Sequence, residues 1–496
     1  MDHLIGERSV ARLRAFLIAE DERKVNWTIV GLLAGVALIV GALLAFLAPV
    51  GGVVVMVAGI GALLMLRDVR WGLLALLAVV CLLPFASLPF RFGFTPTFLD
   101  LVFGALYAVW GMRLITRRQD DFILTPLGLP VLIFIVLAIF SFVMGLSHSR
   151  PSANDVRTFA EVLMGFGIFF LVVNNVWQES RLRLMTAGII LLGSAEAAIG
   201  VFLYVIPTVW TVRFLSPLGR VGYPVGLGAL RYINDDPSRP LRAIGTSVDP
   251  NILGAMLVIV TCIAGVQLFA RRPVLPRLWL VLSFGALSTC LFLTYSRGSL
   301  AGVVVALGMV ALLKYRRLFV VLVVAGMLLL LLPQTQAYVA HFVQGIEIAD
   351  RSTQMRMGEY KDAFELIQRY PWIGVGFVGT PDIDLYLGVA NIYLALAGQV
   401  GIVGLTAFLL VMAVFFHYEL RAWRALPADE SLKPLLLGYG AAVFGSLISG
   451  FLDHTLLTHP HAVVILWLTL GLGAASARMA VHGFSRKLHT MLESRK

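Results

Sequence analysis

Apolar residues dominate this chain in long unbroken runs, from Trp27 to about Ala480, and short polar segments punctuate them. Crossing about 30 Å of hydrocarbon takes roughly 20 such residues. Fourteen runs reach or approach that length: 27–47, 50–66, 71–90, 97–115, 126–146, 157–176, 184–207, 249–270, 278–295, 299–313, 318–333, 389–417, 434–450 and 461–480. The second and tenth are short, so twelve to fourteen transmembrane helices are expected. Two connections are much longer than the rest, 208–248 and 334–388. Within the second, Met357, Tyr360, Phe364 and Ile367 recur at three- and four-residue spacing, and Pro371 follows as a stop. That pattern predicts an amphipathic helix over Thr353–Tyr370, lying along a membrane surface.

Composition agrees with the runs. The chain is 59% hydrophobic and 14% charged, with a mean hydropathy of +0.89, which excludes a soluble globular protein. Met1–Lys24 is polar and charged, so no cleavable signal is expected and the first run reads as a signal anchor. The organisation expected is a cytoplasmic segment 1–24, one polytopic membrane domain 25–480 and a cytoplasmic tail 481–496. Cys81, Cys262 and Cys290 lie inside apolar runs without ligand spacing, which argues against a disulfide framework or a zinc site.

Charge sets the orientation. With the N-terminus inside, every cytoplasmic connection carries at least two Lys or Arg, as positive-inside bias requires. The formal net charge of +11 is then mostly topological and no nucleic-acid partner is implied. Thirteen of the 39 basic residues remain outside, and all but Lys361 are Arg. Arg suits planar, bidentate recognition of phosphate, so a bound anion is the expected reason they stay there.

Some of these arginines sit in patterned segments. Arg242 opens Arg242-Ala-Ile-Gly-Thr-Ser-Val-Asp-Pro-Asn251, at the start of the eighth run. Arg297 stands in Tyr295-Ser296-Arg297-Gly298-Ser299, the tight turn between the ninth and tenth. Arg356 shares a helix face with Tyr360, as Glu359 does with Ala363, and Pro371-Trp372-Ile373-Gly374-Val375-Gly376 follows. Asp382-Ile383-Asp384 resembles a metal clamp, although two acids in a solvated loop explain it as well. Asn391, Tyr393 and Gln399 lie near the outer end of the twelfth run. Asp453, His454, His459 and His461 crowd the last outer turn without a committed metal-binding spacing.

In this order the segments from about Arg242 to Gly404 resemble the bacterial O-antigen polymerase and O-antigen ligase superfamily. The resemblance rests on Arg242-Ala-Ile-Gly with Asp249-Pro250-Asn251, the Ser296-Arg297-Gly298 turn, Arg356 with Gly374-Val375-Gly376, and Asn391, Gly401 and Gly404. It implies an all-α, GT-C-like polytopic fold in the bacterial cytoplasmic membrane. It further implies an inverting, metal-independent glycosyltransferase without cofactor, working on the external face. The donor implied is a glycan on undecaprenyl diphosphate, the acceptor a glycan or glycolipid, with membrane lipids as the remaining partners. Arg242, Arg297 and Arg356, with Arg220 as a fourth, are then expected on the diphosphate; Tyr360, Asn391 and Tyr393 are expected to bind substrate. The base stays open among Glu359, Asp382, Asp384 and His341. One departure stands out: the family's ligase pattern has His where this chain has Ala390, and Gln399 occupies a common Glu position. That favours a polymerase joining lipid-linked repeat units over a ligase. A transporter or flippase of lipid-linked glycan is the alternative of another class, but no internal repeat supports it.

Overall fold

A computed structural model describes residues 61, 64–88, 93–116, 122–330, 351–381, 385, 388–427 and 430–493. Contacts divide the chain into Met1–Asp68 and Val69–Lys496. Of the first unit only a few residues before Asp68 are described, so the expected spans 27–47 and 50–66 fall almost wholly outside. So do the segment 1–24, His341, Asp382 and Asp384.

The second unit is helical throughout, and among its described residues there is no β-strand. It begins with α1 (Val69–Leu82), α2 (Phe98–Ile115), α3 (Gly128–Gly145), α4 (Ala153–Asn175) and α5 (Glu179–Val205). A short α6 (Thr208–Leu215) and three 3-10 turns occupy the first long connection. Then come α7 (Pro250–Leu268), α8 (Arg277–Leu293), α9 (Arg297–Leu313), α10 (Arg316–Leu330) and α11 (Arg351–Arg369). The chain closes with α12 (Ile392–Gln399), α13 (Gly401–Ala425), α14 (Leu432–Ser449), α15 (Thr455–Thr458) and α16 (Pro460–Glu493). Among the described residues, eight helices are long and apolar enough to cross a membrane, and α1, α8 and α9 are shorter apolar helices. Every expected span from the third onward overlaps a helix among the described residues, although the third, 71–90, is helical only to Leu82. The expected span 389–417 is two helices, α12 and α13, separated at Val400. The expected tail is helical too, since α16 runs on to Glu493.

Burial explains why most helices show no clear amphipathic stripe. α7 is buried from Ile252 to Gln267 on all sides, packed against α5, α8, α9 and α14. A helix enclosed on every face is apolar all round. α16 is enclosed likewise from Pro460 to Val481, against α4, α13 and α14, whereas α2 turns most of its surface outward. Small residues let backbones approach where α9 crosses α14: a Cβ on Gly302 would stand 2.4 Å from the Gly445 carbonyl oxygen. Some helix starts are capped by their own sequence. Thr97 and Asp100 form a reciprocal capping box on α2, Ser152 and Asp155 another on α4.

α7 and α9 run in one direction and α8 in the other, so their ends collect at two ends of this unit. One end gathers the starts of α7 and α9, the finish of α8, part of the 208–248 connection and α11. The other gathers the basic turns between α7 and α8 and between α9 and α10.

Candidate functional site

A cavity of about 950 Å³ opens where α7, α9, α11 and the 208–248 connection meet. Four arginines line it: Arg231, Arg242, Arg297 and Arg356, all half-buried. Glu359 and Ala390 complete one wall, and Asp249, Asn251 and Tyr295 another.

The 208–248 connection is folded, not loose. Leu215, Ala229 and Ile244 pack with Leu203 of α5 into a small apolar cluster. Tyr223 is buried and its hydroxyl accepts the Phe85 amide hydrogen at 3.3 Å; burial pushes its phenol well above the ordinary value. Further on the chain doubles back: Tyr232 and Leu241 form an antiparallel bridge, and the Arg242 amide donates to the Arg231 carbonyl at 2.8 Å. This hairpin sets Arg231 beside Arg242. The turn is made by Asn234 and Asp235, both at positive φ, residue types that tolerate it.

Arg242 is held at both ends of its guanidinium. Nε donates to the Thr294 carbonyl at 2.8 Å and Nη2 to Asn251 Oδ1 at 2.8 Å. Asn251 is itself placed by the cap of α7, where Asp249 Oδ1 accepts the amides of Asn251 (2.7 Å) and Ile252 (3.2 Å) and Pro250 occupies the first helical position. The stretch after Arg242 is fastened to α5. Glu196, fully buried, accepts the Thr246 amide (2.7 Å), the Thr246 hydroxyl (2.9 Å) and the Ser247 hydroxyl (3.4 Å). Only glycine fits at 245: φ is +54°, and a Cβ would lie 2.2 Å from Glu196 Oε1.

Arg297 begins α9 and donates to Thr353 Oγ1 at 3.4 Å, linking that helix to α11. Tyr295, two residues earlier, has φ +52°, and Val248, just before Asp249, has φ +60°. Among the described residues every non-glycine with positive φ therefore lines or adjoins this cavity. Such conformations cost on the order of 1–3 kcal/mol and cluster where geometry serves a function.

α11 brings Arg356 and Glu359, one turn apart, onto the same wall. Glu359 Oε2 accepts the Ala390 amide hydrogen at 3.0 Å. The carboxylate is thus anchored at the backbone of the position where the family pattern has histidine. Ala363 and Leu366 are the helix's buried residues, while Met357 and Phe364 of the expected apolar stripe are exposed. Tyr360 and Ile367 of the same stripe are half-buried, so only part of it faces away from the protein.

Other expected site residues lie elsewhere. Asn391 caps α12, accepting the amides of Tyr393 and Leu394, and its Nδ2 donates to the Phe451 carbonyl at 3.1 Å. Tyr393 donates to the Leu447 carbonyl at 2.9 Å and packs on Phe451. Tyr360 donates to the Phe451 carbonyl at 3.3 Å. These three hold α11 and α12 to the end of α14 and do not line the cavity. Arg220 is exposed in the 3-10 turn Ser216–Val221, also away from it. The glycine pattern is architectural. Gly401 has φ +78°, and a Cβ there would sit 2.2 Å from the Trp372 carbonyl oxygen. The Val375 and Gly376 amides donate to the Gly398 and Gln399 carbonyls across the same break, at 3.0 and 2.9 Å.

Several of the remaining arginines have local duties. Arg157 pairs with Asp100 (3.2 Å) and Glu161 (3.0 Å), and Arg239 with Asp236 (3.7 Å). Arg213 lies over the Trp210 ring. Arg231 was not singled out by its sequence pattern; the signal available was the turn Asn234-Asp235-Asp236-Pro237, which folds its segment back onto Arg242. Among the described residues no three His, Cys, Asp or Glu side chains gather as a metal site. His459, between Asp453 and His454, is held below the ordinary histidine value chiefly by burial, and next by His454.

Residues 280–409 match the family model described as O-antigen ligase. The match runs from α8 into α13 and includes Arg297, Arg356, Glu359 and the Asn391–Gly404 segment; Arg231 and Arg242 precede it. No curated protein sequence matches the chain.

Proposed function

We propose that this chain, whose residues 280–409 match the family model described as O-antigen ligase, is a membrane glycosyltransferase that uses a glycan carried on a lipid diphosphate. The observation that carries the reading is the cavity of about 950 Å³ lined by four half-buried arginines, which outnumber its three carboxylates, Asp235, Asp249 and Glu359. Its size suits a small-molecule site, which is typically about 300–1,000 Å³.

The chemistry follows from the charges. An acceptor hydroxyl attacks the anomeric carbon, the C–O bond to the diphosphate breaks, and the departing lipid diphosphate takes the electron pair. Arg231, Arg242, Arg297 and Arg356 stabilise the charge that develops on it. Preorganised donors of this kind are commonly the largest catalytic term. Attack from the face opposite the leaving group inverts the anomeric configuration. Glu359 accepts the hydroxyl proton, taking the place of a histidine at 390. A positioned base contributes about 10²–10⁴-fold.

The absence of that histidine favours a polymerase, which lengthens glycan on its lipid, over transfer to a different acceptor. Ligase is the second reading, and the ligase description of the matching family supports it. Reconstitution in vesicles with a lipid-linked oligosaccharide separates these. Longer glycan on the same lipid is the expected product. Transfer to a second glycolipid establishes a ligase, and glycan crossing the bilayer unchanged removes the enzyme reading.

A further inference from the structure

At the other end of the helices lies a second concavity, of about 810 Å³, unrelated to the arginine cavity. Two basic turns and the start of α14 supply its walls. Arg271, Arg272 and Arg277 come from the turn between α7 and α8, Lys314, Arg316 and Arg317 from that between α9 and α10, and Lys433 from α14. Glu430 is the carboxylate among the described lining residues.

Positive-inside bias asks only that such charges occupy the loops. It does not ask them to converge. Here Lys433 Nζ stands 4.7 Å and Lys314 Nζ 5.8 Å from the centroid of one indole, Trp423. Two ammonium groups are thereby brought together on a single ring, an arrangement that an anion between them relieves. The Trp423 Nε1–H is buried and has no hydrogen-bond partner among the described residues. A buried donor without an acceptor is costly and uncommon. Seven basic residues and two cation–ring contacts on one shared indole thus gather at one space.

The surroundings decide which anion. Leu268, Phe269 and Leu437 also line the concavity. Beside it, Leu312 and Leu313 at the end of α9 and Leu278 and Trp279 at the start of α8 are exposed. A soluble phosphate has no use for that apolar surface; acyl chains do. We infer that this concavity binds the phosphodiester headgroup of an anionic phospholipid, with its chains lying along the exposed apolar faces of α8 and α9. Clusters of Lys and Arg at a helix end recognise anionic lipids by this combination of charge and adjoining hydrocarbon.

The test is native mass spectrometry of the full chain, delipidated in detergent and titrated with phosphatidylglycerol or phosphatidylcholine, with and without millimolar inorganic phosphate. Phosphatidylglycerol should bind at least tenfold more tightly than phosphatidylcholine and withstand the phosphate. Lys314→Gln with Lys433→Gln should weaken it about thirtyfold, since each headgroup-facing charge is worth about fivefold. Lys314→Arg with Lys433→Arg should keep the preference. If the glutamine pair fails to fold, Arg272→Gln with Arg317→Gln, both exposed, should weaken binding in the same direction. Equal binding of the two lipids overturns the inference, as does a preference indifferent to these substitutions. Displacement by inorganic phosphate overturns it in favour of a soluble anion.

Discussion

Arg356 offers the cleanest perturbation of the arginine cavity. It lines the wall from the middle of α11, half-buried, and no hydrogen bond or ion pair ties its guanidinium to a described residue. Arg242, by contrast, also holds Thr294 and Asn251 together, so its loss mixes structure with chemistry. Arg356→Gln removes one unit of positive charge and little packing, and substitutions of that kind usually change stability by within about 0.5 kcal/mol. In the proposed reaction the transition state adds about one negative charge to the leaving diphosphate. At roughly 5 Å and an effective dielectric constant of about 20, a unit charge pair interacts by about 3 kcal/mol. That corresponds to about two hundredfold in rate, within the range of about 10²–10³ found for loss of one oxyanion donor. The assay is single-turnover transfer in proteoliposomes, with kcat and KM for the lipid-linked donor determined separately and thermal unfolding followed in parallel. The expected result is a kcat lowered about two hundredfold with the unfolding midpoint unchanged, and Arg356→Lys should recover part of it. A second signature is inhibition by the sugar-free lipid diphosphate, which should weaken in Arg356→Gln. Activity within threefold of wild type would refute the assignment of this cavity to the leaving group.

Glu359→Gln keeps an oxygen to accept the Ala390 amide, so the fold should survive while transfer falls by about 10²–10⁴-fold; an unchanged rate–pH profile would remove Glu359 as the base. Gly245→Ala forces a methyl against Glu196 at positive φ and should lower stability by about 1–3 kcal/mol, seen as a lower unfolding temperature. Glu196→Ala should destabilise by a similar amount, because the Thr246 amide and hydroxyl are left buried without an acceptor. His459 is held below its ordinary 6.5 in the folded protein. Between that lowered value and 6.5 the unfolded chain binds the extra proton, so stability should be steady above pH 6.5 and fall as pH drops through this window. His459→Gln should flatten that slope in chemical denaturation; an identical slope would show that other groups carry it.

The reach of sequence reasoning differed among the site's parts. Arg242, Arg297 and Arg356 were legible because each stands in a short pattern next to an apolar run, where a charge needs a reason. Arg231 was not legible. Its neighbourhood is a polar loop, and its relation to Arg242 depends on hydrogen bonds across a hairpin bent by two residues at positive φ. Asn391 and Tyr393 illustrate the opposite case. Polar groups at the start of an apolar helix suggest a ligand, yet their nearest satisfied partners are backbone amides and carbonyls of their own fold. The glycines at 374 and 401 belong to the same class, packing a turn against a helix break. Glu196 was hidden altogether, because a single carboxylate within an apolar run says nothing about what it faces.

The sequence by itself determined the helical class, the positions of the apolar spans and the two long connections between them. It did so because hydrocarbon admits few solutions to backbone hydrogen bonding, and each helix satisfies its own backbone locally. It also separated the basic turns of one end from the patterned arginines of the other. Only the tertiary structure decided which arginines share a space, that Glu359 is tied to the backbone of Ala390, and that a second set of cations surrounds Trp423. Those are contacts between segments tens to more than a hundred residues apart, set by how turns fold back and how helices pack. Periodicity along a chain carries no record of them.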